Sequence, residues 1–343
     1  AVVIYMPPIP GRTEEVAGEL LRVSKDSGKP VLATFRGHLG MHPALRVPGP
    51  SAPSRGSIPS YAAPEEAVRA LAHVVRYATW RAQPATPPHE LDDIDTGRAR
   101  ELVRAALPDA EATPGGFAQA GPPVEIDAAE LLSCYGLTVW PAEVVRSADE
   151  AVAAAGRLGW PVVVKVADPG ASRRAGTVRL GLTGPEMVRH AYTEFAEQFG
   201  EGVELAVQRM APQPAVPTVV GVIEDPAFGP VVSFGLGEVT ARLLQDQGFR
   251  LAPLTRDDAS ALVRSVRAAP LLFGEYGYPP VAVDALEELL VRVGRLAHDL
   301  PEVARLDLDQ VLVGESDAMI LGARAILRTP AGPRLDVGPR RLS

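Results

Sequence analysis

The chain has 343 residues, 46% hydrophobic and 22% charged, with 42 acidic against 34 basic residues and a formal net charge of -8. That is room for two or three globular domains, and the acidic balance argues against a nucleic-acid binder, which needs a basic surface to displace counterions. Cys134 is the only cysteine, which excludes an intrachain disulfide, and no apolar run approaches the roughly 20 residues of a membrane-spanning helix. The expectation is a cytoplasmic protein that handles small molecules, with neither nucleic acid nor membrane as partner.

In chain order, Val2–Met6 reads as a strand with no leader before it. The chain is therefore expected to be a piece of a longer parent. A helix follows from Thr13, whose hydroxyl suits a cap, with Glu14 and Glu15 in its first turn. Residues 30–35 form a second strand, 37–40 a loop, and Pro59-Ser60-Tyr61 a short extended piece. Pro64-Glu65-Glu66 opens a helix through Trp80 with an apolar series at Val68, Leu71 and Val75. Residues 83–122, rich in Pro, Ala and Gly, read as a linker with one embedded helix, Thr96 to Ala106.

A second domain opens at Asp127, with a helix to Tyr135, a strand Leu137–Trp140 and a helix capped at Ser147. The β-branched run Val162–Val166 reads as a buried parallel strand that delivers Lys165 near its end. Residues 185–199 are helical and 203–210 extended. From Val219 the pattern turns mostly β, with a turn at Gly235-Leu236-Gly237. Helices at 256–269 and 283–299 precede strands at 303–308 and 319–325, which flank 310–313. Residues 331–343 form a tail.

Three elements carry chemistry. Desolvating the Lys165 ammonium is costly unless an anion meets it, and phosphate is the economical partner; a lysine snorkelling to solvent is the alternative. The strand 203–210, containing Val207 and Gln208, offers an extended edge for an adenine, with Val219–Val222 following. Asp307 and Asp309 alternate to one strand face and are candidate Mg²⁺ ligands. No Walker A loop or G-x-G-x-x-G is present, so a P-loop or Rossmann nucleotide site is unsupported. The six histidines show no metal spacing, and Cys134 reads as a buried small hydrophobe.

Further motifs give these elements a context: Pro59-Ser60-Tyr61 with Pro64-Glu65-Glu66-Ala67, the segment Leu158–Val166, Gly221-Val222 with Asp225-Pro226-Ala227-Phe228-Gly229-Pro230, Gly235-Leu236-Gly237, residues 249–254, and Leu306-Asp307-Leu308. In this order they resemble the ADP-forming acyl-CoA synthetases (acetate–CoA ligases), relatives of succinyl-CoA ligase that carry an ATP-grasp domain. The resemblance implies an α/β chain. A flavodoxin-like, succinyl-CoA ligase-like subdomain would span 1–82, and an ATP-grasp domain 123–330, with lobes of about 123–205 and 206–330. It implies ATP or ADP on Lys165, Val207, Gln208, Gly235, Gly237 and Arg250, with Mg²⁺ on Asp307 and Asp309. Arg250 has a purely structural alternative, an ion pair with Asp246. The family reaction takes acyl-CoA, ADP and phosphate to acid, CoA and ATP, exchanging a phosphoryl group between a histidine and ADP. The implied partners are CoA-binding and phosphohistidine domains upstream in the parent, a homo-oligomer, and a GNAT acetyltransferase domain, which the most similar bacterial fusions carry.

The chain departs from the family where the chemistry sits. After the lysine strand the family reads Ser-Pro, His-Lys-Ser-Asp and Gly-Gly-Val; here stand Asp168-Pro169, Arg173-Arg174-Ala175 and Gly176-Thr177-Val178. Pro217 replaces a glutamate before the Leu-Ile-Val-Gly strand, and Gly237-Glu238 followed by Arg242 replaces Gly-Gly followed by a glutamate. Asp307-Leu308-Asp309-Gln310 replaces Asp-Leu-Asn-Pro, and Gly322-Ala323-Arg324 replaces Asp-Ala-Arg. Losing carboxylates and the loop histidine predicts impaired phosphoryl transfer with nucleotide or anion binding retained. The alternative is a non-catalytic ligand-sensing module that regulates a fused acetyltransferase, and a third reading is an oligomerisation scaffold.

Overall fold

The computed structural model describes residues 2–6, 12–35, 40–49, 54–82, 91–107, 122–167, 176–237 and 243–329. It divides between Thr86 and Pro87 into two compact units. Among the described residues no helix is long and apolar enough to cross a membrane.

In the first unit, strands β1 (Val2–Met6), β2 (Val31–Phe35) and β3 (Ser60–Tyr61) form a parallel sheet in that order. Parallel neighbours need crossovers, supplied here in part by helix α1 (Thr13–Ser27). Arg12, not Thr13, occupies the cap position and no side chain caps the helix; Thr13 is already the first helical residue. The helix stops where Gly28 takes φ +57°, a left-handed conformation that glycine adopts without a Cβ penalty. Ala17 packs against Ala33, Phe35, Leu45 and Ile58. Helix α2 (Pro64–Ala82) buries Ala67, while Val68 and Val75 of its apolar series are exposed, as is Trp80. Periodicity marks an apolar face but does not supply the surface that covers it.

The second unit holds two antiparallel sheets. Helix α3 (Thr96–Ala106) begins on Asp95, whose carboxylate accepts from the Arg98 amide. Expected inside a linker, it instead packs Ala99 and Val103 into this unit's main core. Strand β4 (Val124–Ile126) leads to helix α4 (Ala128–Ser133). The strand expected at 137–140 is reduced to a single bridge, Val139 to Ile320, because Pro141 interrupts donation; pairing resumes in β5 (Ala142–Val145). Ser147 accepts from the Glu150 amide and starts helix α5 (Ala148–Leu158).

Strand β6 (Val162–Val166), which carries Lys165, is antiparallel to both neighbours, β7 (Val178–Leu182) and β8 (Leu205–Arg209). The parallel expectation fails because a β-branched run reports burial, not direction. Helix α6 (Pro185–Phe199) closes this four-stranded sheet, ordered β5-β8-β6-β7, over Val162, Val164, Phe195 and Val207.

The six-stranded sheet comprises β9 (Val216–Asp225), β10 (Gly229–Leu236), β11 (Gln247–Leu251), β12 (Val303–Val313), β13 (Ala318–Leu327) and β4, ordered β11-β10-β9-β12-β13-β4. Helices α7 (Arg256–Ser265) and α8 (Val283–Asp299) complete this unit's main core. Leu286, Leu290, Val293 and Leu296 of α8 are buried in one core with Val220, Val232 and Leu306 of the sheet. Each such side chain contributes about 1.5–3 kcal/mol through removal from water. Strict alternation fails within β12: besides a shift between Val303 and Arg305, a register shift between Leu308 and Val311 moves the buried series from 306 and 308 to 311 and 313. The bulge therefore interrupts the simple two-residue argument that put Asp307 and Asp309 on one face.

Candidate functional site

Lys165 and Gln208 come together because strand pairing forces them to. Lys165 pairs with Ala206, and Gln208 lies two residues farther along β8 on the same face. The Lys165 ammonium donates to Gln208 Oε1 at 3.0 Å and to the Leu321 carbonyl at 3.3 Å. Gln208 is 3% exposed, and its Nε2 donates to the carbonyls of Trp140 at 2.9 Å and Leu321 at 3.1 Å. Leu321 belongs to β13 of the large sheet, so this network joins the two sheets. Trp140 fixes the same junction: its amide donates to the Ile320 carbonyl at 2.7 Å and its indole Nε1 to the Arg209 carbonyl at 2.7 Å. A cavity of about 480 Å³ opens beside it, lined by Trp140, Pro161, Arg209, Met210, Ala211 and Pro212. Ala211, Leu312 and Met319 form an apolar cluster here, against which Trp140, Ala215 and Leu321 pack.

Among the described residues, helices α7 and α8 pack on one face of the large sheet. Val220, Val222, Val232 and Leu306 point into the core, so Gly221, Ser233 and Asp307 line the other face. Register aligns Arg324, Asp307, Gly221, Ser233 and Phe249 in one row across five strands. Gly221 keeps the row open: a Cβ there would lie 2.9 Å from Ser233 Oγ and 3.9 Å from Asp307 Oδ1. Asp307 Oδ2 accepts from Arg305 Nε at 2.6 Å, and Arg324 Nη2 donates to Glu125 Oε2 at 2.8 Å. Among the described residues no three His, Cys, Asp or Glu side chains converge to hold a metal ion. Pro217 and Gly322 bring no side-chain oxygen. Mg²⁺ takes oxygen ligands in tight octahedral geometry. The described donor set, one carboxylate already held by an arginine, does not fit it.

The remaining expected residues disperse. Val207 is fully buried in the small sheet's core, and it pairs with Glu143 on one side and Val164 on the other. Gly235 continues β10 instead of turning; it lies opposite Val219 and is buried. Gly237 makes the turn, with φ +62°, and its amide donates to the Pro217 carbonyl at 2.8 Å. Arg250 lies opposite Val232, on the core side of the sheet and not in the row of Asp307. Gly248, two residues earlier on that side, abuts Leu262 and Ser265 of α7. Arg250 Nη1 donates to the Phe249 carbonyl at 2.8 Å, and Asp246 instead accepts the amides of Arg267 and Ala268 at 2.7 and 2.9 Å. The Asp309 side chain, residues 168–175, and Glu238 with Arg242 lie outside the described residues. Sequence reasoning missed the carbonyls of Trp140 and Leu321, because a backbone acceptor has no residue-type signal.

Comparison with known proteins agrees with this architecture. A family model described as an ATP-grasp domain matches residues 122–327. The beta subunit of ADP-forming acetate–CoA ligase I from Pyrococcus furiosus is 35% identical over 238 residues, covering 67% of this chain and 98% of that subunit. ADP-forming acetate–CoA ligase I of Archaeoglobus fulgidus is 31% identical over 277 residues, 79% of this chain but 39% of that protein. This chain thus spans about two fifths of that relative. Acetyl-coenzyme A synthetase 1 of Ca. Korarchaeum cryptofilum, solved in complex with coenzyme A, Ca-AMPCP and HgCl+, superposes with a TM-score of 0.55 at 34% identity, over 67% of this chain and 100% of the other. A domain match over more than half the chain, and a subunit matched along nearly its whole length, place this chain in the ATP-grasp family, among the ADP-forming acyl-CoA synthetases.

Proposed function

We propose that this chain is the nucleotide-binding part of an ADP-forming acyl-CoA synthetase-like protein, with the base in the cavity at Trp140 and Met210 and the polyphosphate on Lys165. Phosphoryl transfer in it is impaired. The observation that carries the reading is that carboxylates of the family pattern are exchanged for other groups while the lysine is kept. Asp307 is engaged by Arg305 at 2.6 Å, while Pro217 and Gly322 stand where the family pattern has acids. A cationic site attracts polyphosphate without a metal, yet it lacks the charge neutralisation and in-line geometry that a bound divalent ion supplies to transfer. The AMPCP complex of the Korarchaeum relative supports a nucleotide as the ligand class.

Calorimetric titration of ATP and ADP, with and without Mg²⁺, tests this. Binding should persist when Mg²⁺ is removed, changing by no more than about threefold, or less than about 0.7 kcal/mol. Tight binding that collapses without Mg²⁺, accompanied by turnover with a phosphohistidine donor, would overturn it. Regulation of a fused acetyltransferase shares the same binding step, and the Arg305–Asp307 pair favours it over catalysis; a nucleotide-dependent change in the activity of the parent protein would separate the two.

A further inference from the structure

The buried amide of Gln208 has only one orientation that its surroundings permit. Two carbonyl oxygens, of Trp140 and Leu321, lie 2.9 and 3.1 Å from Nε2, and the Lys165 ammonium lies 3.0 Å from Oε1. The flipped amide would set Oε1 against two carbonyl oxygens and an NH₂ group against an ammonium, so all three contacts would turn repulsive. Both amide protons are used, which immobilises the acceptor that faces the lysine. A lysine stem has four flexible carbons and a rotor of three donors, so its position depends on what receives them. The Leu321 carbonyl accepts from both Lys165 and Gln208, which closes a triangle between the small sheet and β13 of the large one.

We propose that Gln208 is the positioning residue of this site, its amide aiming the Lys165 ammonium into the cleft between the two sheets; this rests on the reading of Lys165 as a polyphosphate ligand. A neutral amide suits the task better than a carboxylate. It orients the ammonium without itself bringing a negative charge to compete with an incoming anion. Glutamate would hold the lysine equally well but compete with phosphate, and it would face two carbonyl oxygens without a proton to give.

The test is a double-mutant cycle on the full chain, with ATP as the probe in calorimetry, using Q208L, K165A and the double variant. Q208L should weaken ATP about tenfold where Lys165 is present, as expected for a lost hydrogen bond to a charged group, and by less than about twofold in the K165A background. Equal losses in both backgrounds would show a merely structural role and overturn the proposal. A second measurement needs no nucleotide: labelling of Lys165 by an amine-reactive ester, mapped by mass spectrometry, should run at least about fivefold faster in Q208L, once the ammonium loses an acceptor. An unchanged labelling rate overturns the proposal. Should Q208L fail to fold, the isosteric Q208E replaces it, with slow labelling kept and ATP weakened; Q208E binding ATP as well as the parent does would count against the argument. If the parent chain binds no ATP, the nucleotide reading fails, while labelling still decides whether Gln208 holds the lysine.

Discussion

Single groups in this chain are set by whether burial is matched by a partner. Asp307 is about one quarter exposed and its arginine partner nearly half, so the pair is worth no more than about 1 kcal/mol. Its consequence lies in occupancy: the oxygen nearest Arg305 is already spoken for. Tyr135 is the opposite case. It is fully buried, and its hydroxyl donates to Asp299 at a long 3.4 Å. Burial first, and the Asp299 charge second, push its phenol well above the ordinary tyrosine range. The folded state therefore holds the proton more tightly than the unfolded chain. The stability this brings is complete below the unfolded pKa of about 10 and is lost as pH rises past it. Tyr135→Phe should lower stability at pH 7 by about 0.5–1.5 kcal/mol, yet lose less on going to pH 11 than the parent does. Thermal unfolding at a series of pH values checks this; parallel losses in both proteins would assign the alkaline liability elsewhere. Of the candidate site residues, Lys165 was legible in the sequence because a cation near the end of an apolar strand demands an explanation. Arg250 was not, since its face depends on which residue of β10 it meets.

Elements formed where local signals were strong. Asp95, Asp127, Ser147 and Thr255 each accept a backbone amide at the start of a helix, and α8 has the bounds that its apolar period predicts. Gly294 explains the one apparent weakness in α8. A Cβ there would lie 2.7 Å from Leu254 Cδ1 and 3.2 Å from the Leu254 amide nitrogen, so the glycine lets the segment entering α7 cross the helix closely. Gly294→Ala would gain up to about 1 kcal/mol of helix propensity and lose about 1–3 kcal/mol to overpacking. A net destabilisation of about 1–2 kcal/mol in urea unfolding is expected, and a stabilised variant would mean that Leu254 yields. The β12 bulge had no such local signature: Leu-Asp-Leu-Asp-Gln-Val alternates well enough to hide it.

At the scale of the molecule, the core of the second unit draws its buried residues from 99 to 327, and α3 belongs to it. Residues 87–343 should therefore fold alone. Their thermal transition should fall within about 3 °C of the corresponding one in the full chain, with ATP affinity preserved. A non-cooperative melt would show that this core needs residues 1–86. The site itself is a property of this scale, because β6, β8, β13 and the segment at Trp140 are distant in sequence and meet only where the two sheets join.

Residue order alone determined the α/β class, most helix bounds, the lysine strand and the family, because hydrophobic period, caps and motif order are written locally. Only the tertiary structure decided strand direction, the face on which Arg250 and Asp307 lie, the burial of Val207 and the partners of Lys165. Each of those depends on register between strands far apart in the chain, and a slip of one residue reverses it.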